Sequence, residues 1–182
     1  MTIKIKLILL TISAFFVLTN ISAQKKSRVN IEHADTFKYD ANFGKDIQRL
    51  IGNVVIRQDS TLFYCDSAYI NEVKNSFEAF SKVHIKVNDT VDVYGDRLMY
   101  DGNTKIAELF DSVKLIDKNT VLNTDHLIYN RITKTAFYNK GGKIVNNDNI
   151  LVSKKGIYFT PTRTFHFRDD VVLTNPDQET YS

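Results

Sequence analysis

Tryptophan is absent from this 182-residue chain, cysteine occurs once, proline twice and glycine only seven times. The lone Cys65 excludes an intrachain disulfide framework. Its neighbours, Phe63-Tyr64-Cys65-Asp66, supply no base to make it a nucleophile, so it reads as a small buried side chain. So few prolines and glycines exclude long irregular loops and low-complexity linkers. No block of Lys and Arg forms the dense basic stripe that a phosphate backbone requires, which argues against a nucleic-acid partner. A Gly-rich phosphate loop, a G-x-S-x-G elbow and a His-x-x-x-His pair are also missing. The histidines, His33, His84, His126 and His166, occupy different phases of the repeat described below and so do not converge as ligands. A non-enzymatic protein without metal or cofactor is expected.

At the N-terminus, Lys4 and Lys6 precede an apolar run from Leu7 to Leu18, and Ile21-Ser22-Ala23 closes the segment. This is the three-part layout of a secretory signal peptide, with cleavage after Ala23. A run of about 12 apolar residues is short of the roughly 20 that span a bilayer. Loss of Lys4 and Lys6 leaves 22 basic against 21 acidic side chains, a nearly neutral mature chain. Residues 24–182 are expected to form one domain with a sizeable core.

One motif recurs along that domain: an Asp, an apolar residue two positions on, and an aromatic residue four positions on. It stands as Asp35-Thr36-Phe37-Lys38-Tyr39, Asp96-Arg97-Leu98-Met99-Tyr100 and Asp125-His126-Leu127-Ile128-Tyr129. A weaker copy is Asp66-Ser67-Ala68-Tyr69-Ile70, and a fifth, Lys154-Lys155-Gly156-Ile157-Tyr158, keeps the tyrosine without the acid. The copies start at 35, 66, 96, 125 and 154, a period near 30 residues. A second column, Ile56, Ile85, Leu115, Val145 and Leu173, runs in phase with it. Turn signals fall between the two columns: Asp59-Ser60, Asn88-Asp89, Lys118-Asn119 and Asn147-Asp148 on one side, and residues 71–75, 101–103, 130–133 and 160–161 on the other. Each repeat therefore holds two extended segments and two turns.

The segments alternate apolar and polar residues and are rich in β-branched and aromatic side chains, as in Val83-His84-Ile85-Lys86-Val87. The spacing predicts an all-β antiparallel meander of about ten strands: 29–39, 47–58, 61–70, 76–87, 90–100, 104–117, 120–129, 135–146, 150–158 and 163–174. Apolar parity switches at each motif Asp, being odd before it (Phe63, Val93, Leu122, Leu151) and even after it (Leu98, Leu127). A parity switch requires a bulge or corner, and the small residues Ala34, Cys65, Gly95, Thr124 and Ser153 leave space for one. The intervening strands have matching corners at Gly52-Asn53, Ser81-Lys82, Asp111-Ser112, Gly141-Gly142 and Asp169-Asp170. Corners in register would fold the meander over its own apolar face. Asp35, Asp66, Asp96 and Asp125 read as corner residues that accept backbone N–H bonds, because they lack the short D-x-D spacing of a calcium loop. The tyrosines Tyr39, Tyr100, Tyr129 and Tyr158 read as cross-strand packing, with a carbohydrate- or lipid-contacting stripe as the functional counterpart.

The segments Ala34-Asp35-x-Phe37-x-Tyr39-Asp40, Gly52-Asn53-Val54-Val55-Ile56, Gly95-Asp96-x-Leu98-x-Tyr100-Asp101 and Thr124-Asp125-x-Leu127-x-Tyr129-Asn130 resemble the OstA/LptA-like family over about 29–174. The resemblance implies a V-shaped β-jelly roll in the periplasm that holds the lipid A acyl chains of lipopolysaccharide. It also implies stacking head to tail, with itself or with other OstA-like transport components, between the two membranes. Phe63, Val93, Leu98, Leu122, Leu127 and Leu151 would then line the lipid groove. Val171, Val172 and Leu173, which open a unit lacking its Asp-bearing strand, would form an assembly edge capped by Pro176. Lys143 and Lys154 depart from the Val and Asp of earlier repeats. Two other classes fit the same repeat: a structural or adhesive β-roll with a filled interior, and a glycan-binding module displaying its tyrosines.

Export gives the first testable outcome. Intact-mass measurement of protein recovered from the periplasm should show a chain beginning at Gln24; retention of residues 1–23 in a membrane fraction would contradict a soluble exported carrier.

Overall fold

A computed structural model describes residues 27–39, 44–87 and 90–175. The expected signal peptide, 1–23, and the expected cap at Pro176 lie outside the described residues. Among the described residues every regular element is a strand: β1 (Asn30–His33), β2 (Thr36–Tyr39), β3 (Ile47–Gln58), β4 (Thr61–Asn71), β5 (Ser76–Val87), β6 (Val91–Asp101), β7 (Ile106–Asp117), β8 (Thr120–Asn130), β9 (Thr135–Tyr138), β10 (Gly142–Asn146), β11 (Asn149–Ser153), β12 (Lys155–Phe159), β13 (Thr164–Arg168) and β14 (Val172–Thr174). All pairings are antiparallel and all strands join one sheet. The all-β antiparallel meander expected from the repeat, and the jelly roll that the family resemblance implies, are thus the fold of the chain.

The sheet is folded along a line of corners into two halves. Register breaks between Ile51 and Val54, Tyr64 and Ser67, Phe80 and Val83, Tyr94 and Arg97, and Phe110 and Val113. At alternate strands the break is a pair of left-handed residues: Gly52-Asn53, Ser81-Lys82, Asp111-Ser112 and Asp169-Asp170, with Gly141 alone in the remaining repeat. A left-handed conformation costs an ordinary L-residue about 1–2 kcal/mol, which is why Gly, Asn, Asp and Ser dominate here. Four of the ten long strands read from the sequence are split at this line: 29–39 into β1 and β2, 135–146 into β9 and β10, 150–158 into β11 and β12, and 163–174 into β13 and β14. The strands β3 to β8 instead run through it, because each keeps the same central neighbour on both sides of the bend.

Parity reverses at the corner in β4, β6 and β8 (Phe63 to Ala68, Val93 to Leu98, Leu122 to Leu127) and is kept across it in β3, β5 and β7 (Leu50 to Val54, Ala79 to Val83, Leu109 to Val113), so that both halves turn their apolar side chains inward. In one half, Ile56, Phe63, Ile85, Val93, Leu115, Leu122, Ile144, Leu151 and Leu173 stand opposite one another in a single cross-strand row. The row contains Ile144 where the sequence pattern suggested Val145. Pairing of Gly142 with Thr124 sets β10 so that Ile144 faces Leu122 and is buried, while Val145 is only partly so. In the other half, Leu50, Ala68, Ala79, Leu98, Leu109 and Leu127 form the matching row. Beyond it, Tyr100, Ala107, Tyr129, Ala136 and Tyr158 alternate large with small, so each ring lies over the space left by an alanine. Tyr100, Tyr129 and Tyr158 are thus buried rather than displayed, whereas Tyr39, expected in the same ladder, is exposed at the end of the sheet.

Near the last repeats the corner is filled by Tyr138, which is fully buried and hydrogen-bonded to Ser153 Oγ at 2.6 Å. Its ring lies between Gly142 and Gly156, where an added Cβ would come within 2.5 and 2.6 Å of ring carbons. Gly156→Ala should therefore lower unfolding stability by about 1–3 kcal/mol. Combining it with Tyr138→Leu should return part of that loss in urea titrations. Equal stability of Gly156→Ala and the native protein would contradict this packing.

Candidate functional site

Opposite the corner line, the turn ends of the two halves approach each other and form a mouth. Two-residue turns at Asp59-Ser60 and Lys118-Asn119 end one half, and four-residue turns 72–75, 102–105, 131–134 and 160–163 end the other. The four-residue turns close on the left-handed residues Asn75, Lys105, Lys134 and Arg163. They are stacked by backbone bonds from Gly102 N–H to Asn75 O, from Arg131 N–H to Lys105 O and from Thr160 N–H to Lys134 O.

Polar side chains close this mouth. Gln58, fully buried at the inward-facing end of β3, donates through Nε2 to Gly102 O at 2.8 Å and to Ser27 O at 3.0 Å. Its Oε1 accepts from the Tyr100 hydroxyl and, at 2.9 Å, from Arg131 Nη1. Arg131 Nη2 donates to Gln58 O at 3.1 Å, and Nη1 also reaches the Tyr100 oxygen. The guanidinium lies 5.8 Å over both the Phe63 and Tyr100 rings. Further along, Tyr158 donates to Asp117 at 2.7 Å, and Lys105 pairs with Asp59 at 2.6 Å. The segment before β1 is laced in as well: Asn75 accepts from Val29 N–H at 2.8 Å, and Ser27 donates to Asp59 at 2.6 Å. A cavity of about 970 Å³ lies along this seam.

Burial shapes the ionisation of these groups. It raises the Tyr100 hydroxyl from its ordinary 10.0 to about 12, against the opposing pull of Arg131. Tyr158 is raised by burial and by its bond to the Asp117 carboxylate. The Lys105 and Ser27 bonds hold Asp59 below the ordinary carboxylate value.

Of the candidate groove residues, Phe63, Val93, Leu98, Leu122 and Leu127 are fully buried inside the fold, and Leu151 is partly buried against the same core. Their side chains fill the space between the half-sheets. Asp35, Asp66, Asp96 and Asp125 all fall on the corner line. Asp35 Oδ2 accepts from Asn53 Nδ2 at 3.0 Å, and Asp66 pairs with Lys82 at 3.2 Å, while Asp96 and Asp125 are exposed. Backbone bridges at the corner run instead from Asp35 N–H to Gly52 O, from Gly141 N–H to Lys154 O and from Lys154 N–H to Asp169 O. Val172 and Leu173 lie in β14 and pair with Val152 and Leu151; Val171 precedes that strand. The seam residues Gln58, Asp117, Asn75 and Arg131 were not singled out from the sequence. Gln58 and Asp117 could have been: each follows two inward residues at period 2, Val54 and Ile56 or Val113 and Leu115, and so is a polar group on a buried face.

The seam predicts a specific alkaline behaviour. A tyrosine whose folded value is raised contributes stability that is complete below its ordinary 10.0 and lost as pH climbs towards about 12. Tyr100→Phe should cost about 1–3 kcal/mol at neutral pH, because Gln58 and Arg131 lose a buried partner. It should also shrink the loss of stability over that alkaline range. Unchanged urea midpoints at both pH values would contradict the seam.

The sequence matches the family described as OstA-like protein over residues 26–182. No curated protein sequence matches. Among solved structures, the fold is similar to LptH, the LptA homologous periplasmic component of the conserved lipopolysaccharide transport device from Pseudomonas aeruginosa. That similarity has a TM-score of 0.47 and 13% identity, and covers 80% of this chain and 93% of that one. With nearly the whole domain matched by the family model, the chain belongs to the OstA-like protein family.

Proposed function

We propose that this protein is a periplasmic lipopolysaccharide-transport component that shields lipid A acyl chains between its two half-sheets. The observation that carries this reading is the continuous apolar inner row, which runs across the strands from Ile56 to Leu173. Burial of each acyl methylene is worth about 0.8 kcal/mol, enough in sum to carry a multiply acylated lipid through water without any chemical step. The interior is filled by its own side chains, so acyl chains enter as the mouth parts and the inner rows separate. Resealing restores the Gln58–Tyr100–Arg131 contacts.

The sheet ends support end-to-end assembly, with another copy or with other OstA-like components. One end is formed by β1 and β2, where Phe37 and Tyr39 are exposed, and the other by β13 and β14. Each end strand has one backbone edge without a strand partner among the described residues, and such an edge templates another strand. Val172→Pro should weaken concentration-dependent oligomers, and a strict monomer at high concentration would contradict the bridge.

The filled interior favours one other reading, a structural roll that never opens. A photoreactive residue at position 98 or 127 separates the two. The carrier should crosslink to lipopolysaccharide in cells, and competitor lipid should suppress the adduct. Absence of any adduct from both positions would leave the closed roll as the better account.

A further inference from the structure

The mouth cavity carries more positive charge than its own closure uses. Lys105, Arg131, Lys134 and Arg163 all line it, against the carboxylates of Asp59 and Asp117. Asp59 is engaged by Lys105 at 2.6 Å and by Ser27 at 2.6 Å, and stands 3.9 Å from Arg131. Asp117 accepts from Tyr158 at 2.7 Å and lies 3.8 Å from Arg163. Lys134 has no ion-pair partner among the described residues. The Arg131 side chain is only 7% exposed, yet its Nε has no hydrogen-bond partner. Thr61 Oγ1, on the same cavity, is buried and equally unpartnered. A buried guanidinium normally uses its full fork of donors, and an orphaned donor costs stability unless something else accepts from it.

We propose that this cavity binds a phosphate-type oxyanion, supplied as a phosphate monoester on the headgroup of the acylated glycolipid whose chains occupy the interior. The inference rests on the carrier reading for the source of the phosphate, but not for the site itself. A tetrahedral oxyanion offers several acceptors at once, which suits the Arg131 donors, the Thr61 hydroxyl and the Lys134 ammonium together. The two cavity carboxylates do not oppose it, since Lys105 and Arg163 offset them and leave Arg131 and Lys134 in excess. Binding there would place the charged headgroup at the water-facing rim, with apolar chains directed inwards past Phe63 and Tyr100.

Calorimetric titration of the full mature chain tests this with three probes: diphosphoryl lipid A in dodecyl maltoside micelles, the same lipid stripped of phosphate, and inorganic phosphate. Lys134 lies on an exposed turn, so Lys134→Glu keeps the fold. The phosphorylated lipid should bind about tenfold or more tighter than the stripped one. Lys134→Glu should abolish most of that difference while leaving the stripped lipid unaffected, and Arg131→Lys should reduce it with a smaller loss. Equal binding of both lipids would overturn the phosphate site and leave the carrier reading standing. Binding of inorganic phosphate alone, sensitive to Lys134→Glu, would support the oxyanion site and assign it to free phosphate, against the carrier. No binding of any probe would overturn both.

Discussion

A β-strand shows its side chains alternately to two faces, so a long strand in a single flat sheet can bury only every second residue against one layer. Here the register breaks at the corner keep one apolar face inward on both sides of the bend: β4, β6 and β8 shift parity there, whereas β3, β5 and β7 keep theirs across the left-handed pair. Val91 and Val93 on one side of Gly95-Asp96 and Leu98 and Tyr100 on the other therefore enter the same interior. Without that shift, one half of β4, β6 and β8 would turn its apolar row to water. The repeat follows from this constraint, because each passage of the chain needs a corner at the same depth if the rows of neighbouring strands are to meet.

The corner joins the half-sheets along one line only, and the other line has to be closed by something else. Tyrosine suits this role because its ring adds to the apolar interior while its hydroxyl reaches the polar rim. Tyr100 and Tyr158 extend from one half to Gln58 and Asp117 at the turn ends of the other, and the alternating alanines Ala107 and Ala136 leave room for the rings. Corner and seam differ in kind. The corner is continuous backbone, whereas the seam consists of side-chain hydrogen bonds and ion pairs, each worth roughly 1 kcal/mol net. If the fold opens, it does so at the seam.

Much of this architecture was legible in the chain. The period near 30 residues, the parity switch and the small or turn-forming residues at Gly52-Asn53, Ser81-Lys82 and Asp111-Ser112 were enough to place the bends, because backbone geometry leaves a local mark. Ile144 displaced Val145 from the inner row because register near the fourth corner depends on pairing to Thr124, a residue remote in sequence. The mouth was less legible for the same reason. Arg131 looks like a turn residue until Gln58, 73 positions away, is brought against it. Hydrogen bonds at that separation are set by how the halves close and leave no periodic trace, although the inward parity of Gln58 and Asp117 hinted that polar groups were buried there.

The central claim is that lipid reaches the interior only when the mouth parts. Cysteines in place of Asp59 and Lys105, whose side chains meet at 2.6 Å, allow the seam to be locked with a short bis-maleimide. The native Cys65 is buried, with its thiol pushed up to about 12, and would stay unmodified. Lipid loading, read by native mass spectrometry, should be lost in the bridged protein and retained in the same variant capped with a mono-maleimide. Equal loading of the bridged and capped proteins would contradict the account.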